Sequence, residues 1–493
     1  MSQSVSASIK VAAHRLPHNS MKMSNLTAQV GKPKFNVLSL SLLSACGGKG
    51  DDGHSRNNIN DNTPSSTHIA SNSVFSISAP VSTASLSYFS DGSDKEVVRY
   101  FYPHNIAGNN AQEVVIAGFE SQPNSATEYS DTRLHVVSVE NMTLTPVTND
   151  LLNKSGVNVE AVGDIGFGDF NGDGAVDFFT SAYADMDLMS NAYAFYNSGT
   201  DVTQELVDTS QWQHGVAVFD INGDGFDDVY SAGYDGAEVY IGSPDGLKKY
   251  SVLGADGGGS HVALGDFLDG GGVQGVVVDN GVNKSTRLFE IIIDANSQTV
   301  MLEDQGQLPA PILDTSVFDE ILSANSPRSH DVRVEAIDFS NDGLLDILIF
   351  SRADYNPVTR QWPELSQLQF LENTGDGNFI DVTENILKNY DFNSNVGYEP
   401  VLDDFNDDGY LDIFISDADF DGQHNSSAFL MGAENGSFTE TGRDLLSQII
   451  PSDGGMATVV QDARDEYFIL AGSQSTDNNG THEQLSLHPI EFM

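Results

Sequence analysis

A nine-residue pattern rich in aspartate occurs four times in this chain, and it limits the fold more than any other feature. Each copy carries a side-chain oxygen at positions 1, 3, 5 and 9 and glycine at position 6, and an apolar run follows it. Alternate residues of a tight loop point to one side, so these side chains and the backbone carbonyl of position 7 can together surround one Ca²⁺. The sequence therefore predicts about four Ca²⁺ sites. The predicted ligands, from the first loop to the fourth, are Asp169, Asn171, Asp173, Ala175 and Asp177; Asp220, Asn222, Asp224, Phe226 and Asp228; Asp338, Ser340, Asp342, Leu344 and Asp346; and Asp404, Asn406, Asp408, Tyr410 and Asp412.

The calcium loop of the EF-hand is the competing explanation for this pattern. An EF-hand needs a bidentate glutamate at position 12 and a helix after the loop. Position 12 is instead Thr180, Ser231, Ile349 and Ile415. The runs that follow the loops are rich in β-branched and aromatic residues, which favour strands. The loops are therefore predicted to join one strand to the next.

Three weaker copies lie between and beside the four complete ones, at 105–113, at 266–274 and, with a shortened loop, at 461–466. They keep the apolar runs but have fewer or poorer ligands, and whether they bind metal is left open. Neighbouring copies begin between 46 and 72 residues apart, a spacing that suits one four-stranded propeller blade per copy. The predicted fold is an all-β, seven-bladed β-propeller with calcium-binding loops.

The pattern Asp-x-Asp/Asn-x-Asp-Gly-x-x-Asp resembles the calcium motif of the FG-GAP/VCBS repeat family, whose best-known members are the seven-bladed propellers of integrin α subunits. The resemblance covers roughly residues 86 to 493. It implies that the calcium loops connect strands within a blade at the rim of the propeller and stiffen it. It also implies a closing blade with strands from both ends of the chain, here 74–78 paired with 484–488. Because each loop nearly fills the coordination shell of Ca²⁺, a structural role is favoured over an open site for a ligand.

The N-terminal region has the order of a secretory signal peptide. Lys32 and Lys34 precede an apolar run at 35–43, and small residues lead to Cys46, the single cysteine of the chain. The run Leu-Ser-Ala-Cys that ends at Cys46 resembles the lipobox of bacterial lipoproteins. This resemblance implies cleavage before Cys46, lipidation of its thiol and, because Gly47 follows, an outer-membrane lipoprotein of the bacterial cell envelope, facing either the periplasm or the surface.

The domain boundaries follow from these assignments. The segment after Cys46 is rich in Gly, Asn and Ser without periodic apolar positions, which indicates a flexible tether. The stretch before the apolar run is long for a signal peptide, so Met21 or Met23 is an alternative start. The predicted domains are a signal peptide at 1–45, a lipidated tether at 46–72 and the propeller at 73–493.

The net charge restricts the partners. The chain has 71 acidic and 22 basic residues, a formal net charge of −49. Such a surface repels nucleic acids and anionic membranes. We therefore expect no nucleic-acid partner, contact with the membrane only through the lipid anchor, and a monomer. Solubility of the surface and cation binding are both compatible with so many carboxylates.

No sequence motif assigns a reaction. The nucleophile elbow, the zinc-protease helix motif and the phosphate-binding loop are all absent from the sequence. The leading hypothesis is a binding or adhesion module for a protein or carbohydrate ligand; a propeller enzyme acting on extracellular polysaccharide and a structural component of an envelope complex remain alternatives. His214, His261 and His330 precede repeat cores and either line one face or pack at blade starts. Trp212 and Trp362 either stack on a sugar or are buried.

Overall fold

A computed structural model describes residues 68–493 apart from 72–73, 89–96, 109–110, 121–131, 153–156, 184–189, 200, 234–235, 269, 279–285, 310–328, 354–365, 376, 389–399, 417–426, 451–455 and 478–479. The predicted signal peptide, Cys46 and the tether up to residue 67 lie outside the described residues. The described part contains no helix that is both long and apolar enough to cross a bilayer.

Strands dominate the described residues, and the helices among them are four residues long. In chain order the elements are β1 (His68–Ser71), β2 (Phe75–Ser78), β3 (Ser82–Ser87), β4 (Val97–His104), β5 (Glu113–Glu120), β6 (Thr132–Glu140), β7 (Thr143–Pro146), α1 (Thr148–Leu151), β8 (Val157–Val159), β9 (Val162–Gly168), β10 (Asp177–Ala182), β11 (Ser190–Asn197), β12 (Val202–Gln211), β13 (Gln213–Phe219), β14 (Asp228–Gly233), β15 (Gly236–Ile241), β16 (Lys248–Gly254), β17 (His261–Gly265), β18 (Gln274–Val278), β19 (Arg287–Asp294), β20 (Thr299–Gln307), β21 (Ser329–Ile337), β22 (Asp346–Ala353), β23 (Ser366–Asn373), β24 (Phe379–Asp381), α2 (Thr383–Ile386), β25 (Leu387–Lys388), β26 (Val401–Asp403), β27 (Asp412–Ile415), β28 (Ala428–Met431), β29 (Phe438–Thr441), α3 (Arg443–Leu446), β30 (Met456–Gln461), β31 (Tyr467–Asp477) and β32 (Gly480–Phe492).

Consecutive strands pair in antiparallel order to form blades. The sheets β4–β7, β9–β12 and β21–β24 are examples, and β26–β29 forms another with β25 at its edge. The blades β13–β16 and β17–β20 are joined by a parallel pairing of β16 with β20, which makes one eight-stranded sheet. Second strands such as β10, β14 and β18 are buried along their whole length. Burial on both faces explains why their sequences are continuous apolar runs rather than alternating ones.

The blades are arranged like those of a propeller. The first strands of five consecutive blades, β4, β9, β13, β17 and β21, lie side by side, and β30 contacts β4 from the other side. Asp164 on β9 reaches both His261 on β17 and Arg333 on β21, so side chains from blades that are not neighbours meet at a common centre. The all-β class and the propeller-like arrangement predicted from the sequence are therefore confirmed.

The hydrophobic core lies between neighbouring sheets. Phe350 and Phe370 from one blade pack with Ile413 and Phe438 from the next, and the rings of Phe370 and Phe438 are stacked with centroids 5.1 Å apart. Burying an aromatic side chain of this size contributes about 1.5–3 kcal/mol relative to leaving it exposed. These contacts hold each blade against the next, and thereby fix the loops between their strands.

Strands from both ends of the described chain share one sheet, as the resemblance implied, but the pairing differs in detail. The predicted partner of 74–78 was 484–488, whereas Phe75, Ser76 and Ile77 pair with residues 490–492 of β32. The stretch 482–487 is occupied by β3 instead. Because β32 is 13 residues long, it has room for both strands. In addition, β1 lies within the stretch predicted as tether and pairs with β2.

Candidate metal centres

The four aspartate-rich loops connect the first and second strands of their blades. The first loop (169–177) follows β9, the second (220–228) follows β13, the third (338–346) follows β21 and the fourth (404–412) follows β26. Each exits into a buried antiparallel strand and not into a helix, as the sequence predicts. All four therefore lie at the end of the blades where the first strands finish.

The side chains at positions 1, 3 and 5 turn into the loop. In the first loop Asp169 Oδ1 accepts the N–H of Asp173 at 3.1 Å, and Oδ2 accepts that of Gly174 at 2.9 Å. Asn171 Nδ2 donates to Asp173 Oδ2 at 3.2 Å. In every loop the position-1 carboxylate accepts the N–H groups of positions 5 and 6. The acceptors in the other three loops are Asp220, Asp338 and Asp404, at 2.8–3.1 Å.

The turn of each loop needs left-handed backbone conformations at two positions. Position 6 is glycine in all four loops, with φ between +83° and +91°. Position 4 is left-handed too, a feature that we did not predict. The residues at position 4 are Gly172, Gly223, Asn341 and Asp407, with φ of +75°, +72°, +57° and +59°. Gly, Asn and Asp are the residue types that tolerate this region best, so the sequence did hold the signal.

Position 9 is buried and makes backbone hydrogen bonds that the other three predicted side-chain ligands do not make. Asp177 is fully buried. Its Oδ2 accepts the N–H of Phe170 at 3.1 Å, and its Oδ1 accepts that of Asn197 on β11 at 2.7 Å. The position-9 residues Asp228, Asp346 and Asp412 make the same pair of bonds, one to the start of their own loop and one to the end of the third strand or the residue after it. Position 9 therefore fastens the loop to its blade.

The loops concentrate negative charge. Burial raises the pKa of Asp177 to about 7 against the lowering effect of its two N–H donors, and the nearby charges of Asp173 and Asp169 raise it further. In the same way the pKa of Asp228 and Asp346 is raised to about 7 and that of Asp412 to about 8. Among the described residues, no Lys or Arg forms a salt bridge with these loop carboxylates.

The donor set fits a hard cation. The ligand atoms at positions 1, 3 and 5 are carboxylate, amide or hydroxyl oxygens, which suit Ca²⁺ and not the softer metals that prefer nitrogen or sulfur. Within the described ranges, no three His, Cys, Asp or Glu side chains converge on one point, which agrees with Asn or Ser at position 3 and with the backbone bonds of position 9. The residues that would hold a cation in these loops are those at positions 1, 3, 5 and 9, together with the carbonyl of position 7.

Two of the three weaker loops keep the bond from position 9 to the start of the loop without its aspartate. Glu113 Oε2 accepts the N–H of Ile106 at 3.0 Å, and Gln274 Oε1 accepts that of Phe267 at 2.8 Å. In the shortened loop the guanidinium of Arg464 contacts the buried Asp462 at 2.8 Å and Glu466 at 2.6 Å. The positive charge of Arg464 thus balances the carboxylates in that loop.

A second polar cluster lies at the opposite end of the first strands. Asp164 Oδ2 accepts the N–H of Val216 at 2.8 Å and lies 3.1 Å from His261 Nε2, while Oδ1 lies 4.0 Å from Arg333 Nη1. Burial would raise the pKa of Asp164, but the hydrogen bond and charge of His261, with the charge of Arg333, hold it below its usual value. Arg333 also pairs with Glu335 at 2.5 Å, so its guanidinium lies near two carboxylates.

The other aromatic and histidine candidates have separate surroundings. The ring centroid of His214 lies 4.9 Å from that of Tyr183, which stacks on Phe119 at 3.8 Å. Trp212 is partly buried between β12 and β13. The side chain of His330 and all of Trp362 lie outside the described residues. The two histidines that are described therefore pack at blade starts, one of the two alternatives left open by the sequence.

The comparisons with known proteins agree with this arrangement. A family model for the FG-GAP-like repeat matches residues 169–231, which include the first and second loops, and 338–415, which include the third and fourth. No curated protein matches the chain.

Several solved structures are distantly similar. They include an Agrocybe aegerita lectin that recognises non-reducing terminal N-acetylglucosamine (16% identity, 72% of this chain and 87% of that chain, TM-score 0.39). The Vibrio cholerae biofilm matrix protein Bap1 is another (12% identity, 84% and 72%, TM-score 0.35). Sqt1 from Chaetomium thermophilum is a third (12% identity, 82% and 98%, TM-score 0.40). The assignment rests on the repeats: the chain contains FG-GAP-like repeats within a propeller-like arrangement of sheets.

Proposed function

We propose that this chain is a calcium-stabilised, seven-bladed propeller that presents a ligand-binding surface at the bacterial cell envelope. One observation carries the calcium assignment. In four loops that differ at positions 3, 4 and 7, the position-1 carboxylate accepts the same two N–H groups, those of positions 5 and 6. The same loop conformation in four places favours one shared ligand, a cation, over four turns that arose independently.

The blade count of seven is supported by the strand pairing. Six consecutive units of four antiparallel strands run from β4 to β29, and β30, β31 and β32 form a sheet with β2 and β3. The pairing of N-terminal strands with β32 would close the ring, because it gives the last unit its missing strands. The contact between β30 and β4 is consistent with such a closure.

A structural role for calcium agrees with where the loops lie. Positions 4 and 5 of every loop are exposed, and position 9 bonds each turn to the blade. A cation would neutralise the clustered carboxylates and stiffen the turn. Sites in extracellular modules have dissociation constants of about 10⁻⁴–10⁻³ M, which are filled outside the cell and empty in the cytosol. This range agrees with export and with anchoring through Cys46, which remain proposals from the sequence.

The binding role is the function best supported by this scaffold. A rigid propeller with an acidic surface, net charge −49, suits protein or carbohydrate ligands that are neutral or basic and disfavours anionic ones.

Calcium titration tests the proposal. Protein stripped of metal with a chelator is titrated with Ca²⁺ by calorimetry while its melting temperature is followed. We expect about four binding events and a higher melting temperature. The matched control changes position 5 of every loop to asparagine (Asp173, Asp224, Asp342 and Asp408), which keeps the size of each exposed side chain but removes its charge. A wild type that neither binds Ca²⁺ nor gains stability contradicts the calcium assignment.

The ligand is sought with the calcium-loaded protein. It is screened against neutral, basic and acidic glycans and against envelope proteins, with the four-loop variant as the control. Binding of neutral or basic ligands by the calcium-loaded wild type supports the proposed role, and the four-loop variant measures how far that binding depends on calcium. Turnover of a polysaccharide under the same conditions would favour the enzyme alternative instead.

A further inference from the structure

Position 8 of the second loop differs in kind from position 8 of the others. The first, third and fourth loops carry Val176, Leu345 and Leu411 there, whereas the second loop carries Asp227. Leu411 is buried, and Val176 and Leu345 pack against hydrophobic clusters. A carboxylate in a position that is otherwise apolar costs free energy unless polar partners compensate it. The partners of Asp227 therefore show what it does.

Asp227 is bonded to the first residue of the first loop, in the preceding blade. The N–H of Asp169 donates to Asp227 Oδ2 at 2.8 Å, and the N–H of Asp227 donates to the carbonyl oxygen of Asp169 at 3.1 Å. Gly168 makes room for this approach, because a Cβ there would lie 2.8 Å from Asp227 Oδ2. The two loops thus share a reciprocal pair of hydrogen bonds through one carboxylate and one backbone segment.

The neighbouring residue strengthens the same contact. The ring of Phe226, at position 7 of the second loop, lies against Gly172 of the first loop, where a Cβ would come within 3.0 Å of Phe226 Cδ1. The N–H of Ser243, which follows β15 in the second loop's blade, donates to the carbonyl oxygen of Phe170 at 3.1 Å. The segment 226–228 therefore packs against the side of the first loop. Because this segment is part of the second loop, its position depends on the conformation of the second loop.

The equivalent contact further along the chain is apolar. Leu345 of the third loop lies against Gly265, which precedes the weaker loop of the blade before it. Leu411 of the fourth loop packs in the cluster that contains Ile337 and Phe339, at the start of the third loop. The third and fourth loops are thus also neighbours, but no position-8 carboxylate joins them. The two pairs of loops differ in this one respect.

We propose that Asp227 is a positioning residue that couples the first two calcium loops, an inference that rests on the proposed calcium binding. Its charge adds to that of Asp169, which strengthens attraction for a cation in the first loop. Its bond to the N–H of Asp169 fixes the first ligand. A filled second loop would hold the segment 226–228 in place, so occupancy of the second loop raises the affinity of the first.

The test compares two half-disabled proteins. One carries Asp342→Asn and Asp408→Asn and keeps only the first pair of loops; the other carries Asp173→Asn and Asp224→Asn and keeps only the second pair. Ca²⁺ titration by calorimetry should show positive cooperativity in the first protein and independent sites in the second. All four changes lie in exposed turns, so both proteins should fold, and circular dichroism checks this.

Two changes at position 227 then separate charge from geometry. Asp227→Asn keeps an oxygen for the N–H of Asp169 but removes the charge, and Asp227→Leu copies the fourth loop. We expect each to weaken the first loop, Asp227→Leu by roughly tenfold, which is the lower limit for losing an outer partner of a metal ligand. We also expect Asp227→Leu to abolish the cooperativity.

The outcomes distinguish the two proposals. A wild type that binds no Ca²⁺ removes the proposed function and the coupling together. A wild type with four sites whose first pair is non-cooperative and unchanged by both substitutions overturns the coupling alone. Equal cooperativity in both pairs also overturns it, because the second pair has Leu411 in place of the carboxylate.

Discussion

Substituting Gly215 by alanine tests the arrangement of the blades around their common centre. Gly215 lies on β13, between the strands that carry Asp164 and His261. A Cβ at this position would lie 2.8 Å from both His261 Cδ2 and the carbonyl oxygen of Ser260, closer than a Cβ approaches a non-bonded atom in folded proteins. Either β13 moves or the pair of Asp164 and His261 opens. Overpacking costs about 1–3 kcal/mol, and leaving a buried polar group without its partner costs about 1–3 kcal/mol, so we expect a loss of roughly 1–3 kcal/mol.

The matched control for this substitution is Gly275→Ala on β18. A Cβ at Gly275 would meet its nearest neighbours at 3.4–3.7 Å, which is ordinary contact. We expect this variant to match the wild type or to gain about 0.4–1 kcal/mol from reduced freedom of the unfolded chain. Urea unfolding in the presence of Ca²⁺ measures both variants. Equal free energies of unfolding for the two alanine variants would refute the proximity of the three strands.

Three further substitutions test individual contacts. Asp228→Ala leaves two buried backbone N–H groups without an acceptor and should cost about 2–5 kcal/mol with or without Ca²⁺. Asp224→Ala in the exposed turn should lower stability only when Ca²⁺ is present. Urea titrations with and without a chelator compare the two variants. Burial lowers the pKa of His135 to about 4, so its contribution to stability is present above pH 6.5 and is lost as pH falls toward 4. His135→Phe should therefore reduce the pH dependence of the unfolding free energy in this window by about 1.4 kcal/mol per pH unit. An unchanged slope would contradict the burial. Gly343→Ala, at φ +90° with open space around its Cβ, should cost about 1–2 kcal/mol from backbone strain alone, and no loss by thermal melting would contradict the left-handed turn.

Local features of the fold were readable from the sequence. The nine-residue pattern determines where one strand ends and the next begins, because its ligands and glycines are adjacent in the chain. The left-handed turn at position 6 and the strand after the loop both follow from neighbours within a few residues. The repeat of the pattern then predicts repeated blades, since each unit buries its apolar strands only against the next.

Contacts between distant segments were not readable in the same way. Asp177 at position 9 has the same residue type as Asp169 at position 1, yet it bonds to Asn197 on another strand. Asp227 looks like a surface residue until the blades are assembled. The registers of β2 and β3 on β32 were missed because several stretches of alternating residues at the C-terminus are equally suitable partners. A sequence pattern shows which residue types occur, but it does not show which residue of another strand or blade each of them contacts in the folded protein.

Removal of calcium should weaken this protein without unfolding it. Glu113 and Gln274 bond the start of their own loops without a complete ligand set, as Asp177 Oδ2 does in the first loop. The blade therefore does not need a cation to form, and a cation adds stability only to the exposed turn. At a Ca²⁺ concentration ten times the dissociation constant, each loop would contribute about 1.4 kcal/mol. We expect a chelator to lower the melting temperature while the far-ultraviolet circular dichroism spectrum stays that of a β protein. Loss of the β spectrum at room temperature would show that the backbone bonds of position 9 are not enough to hold the blades.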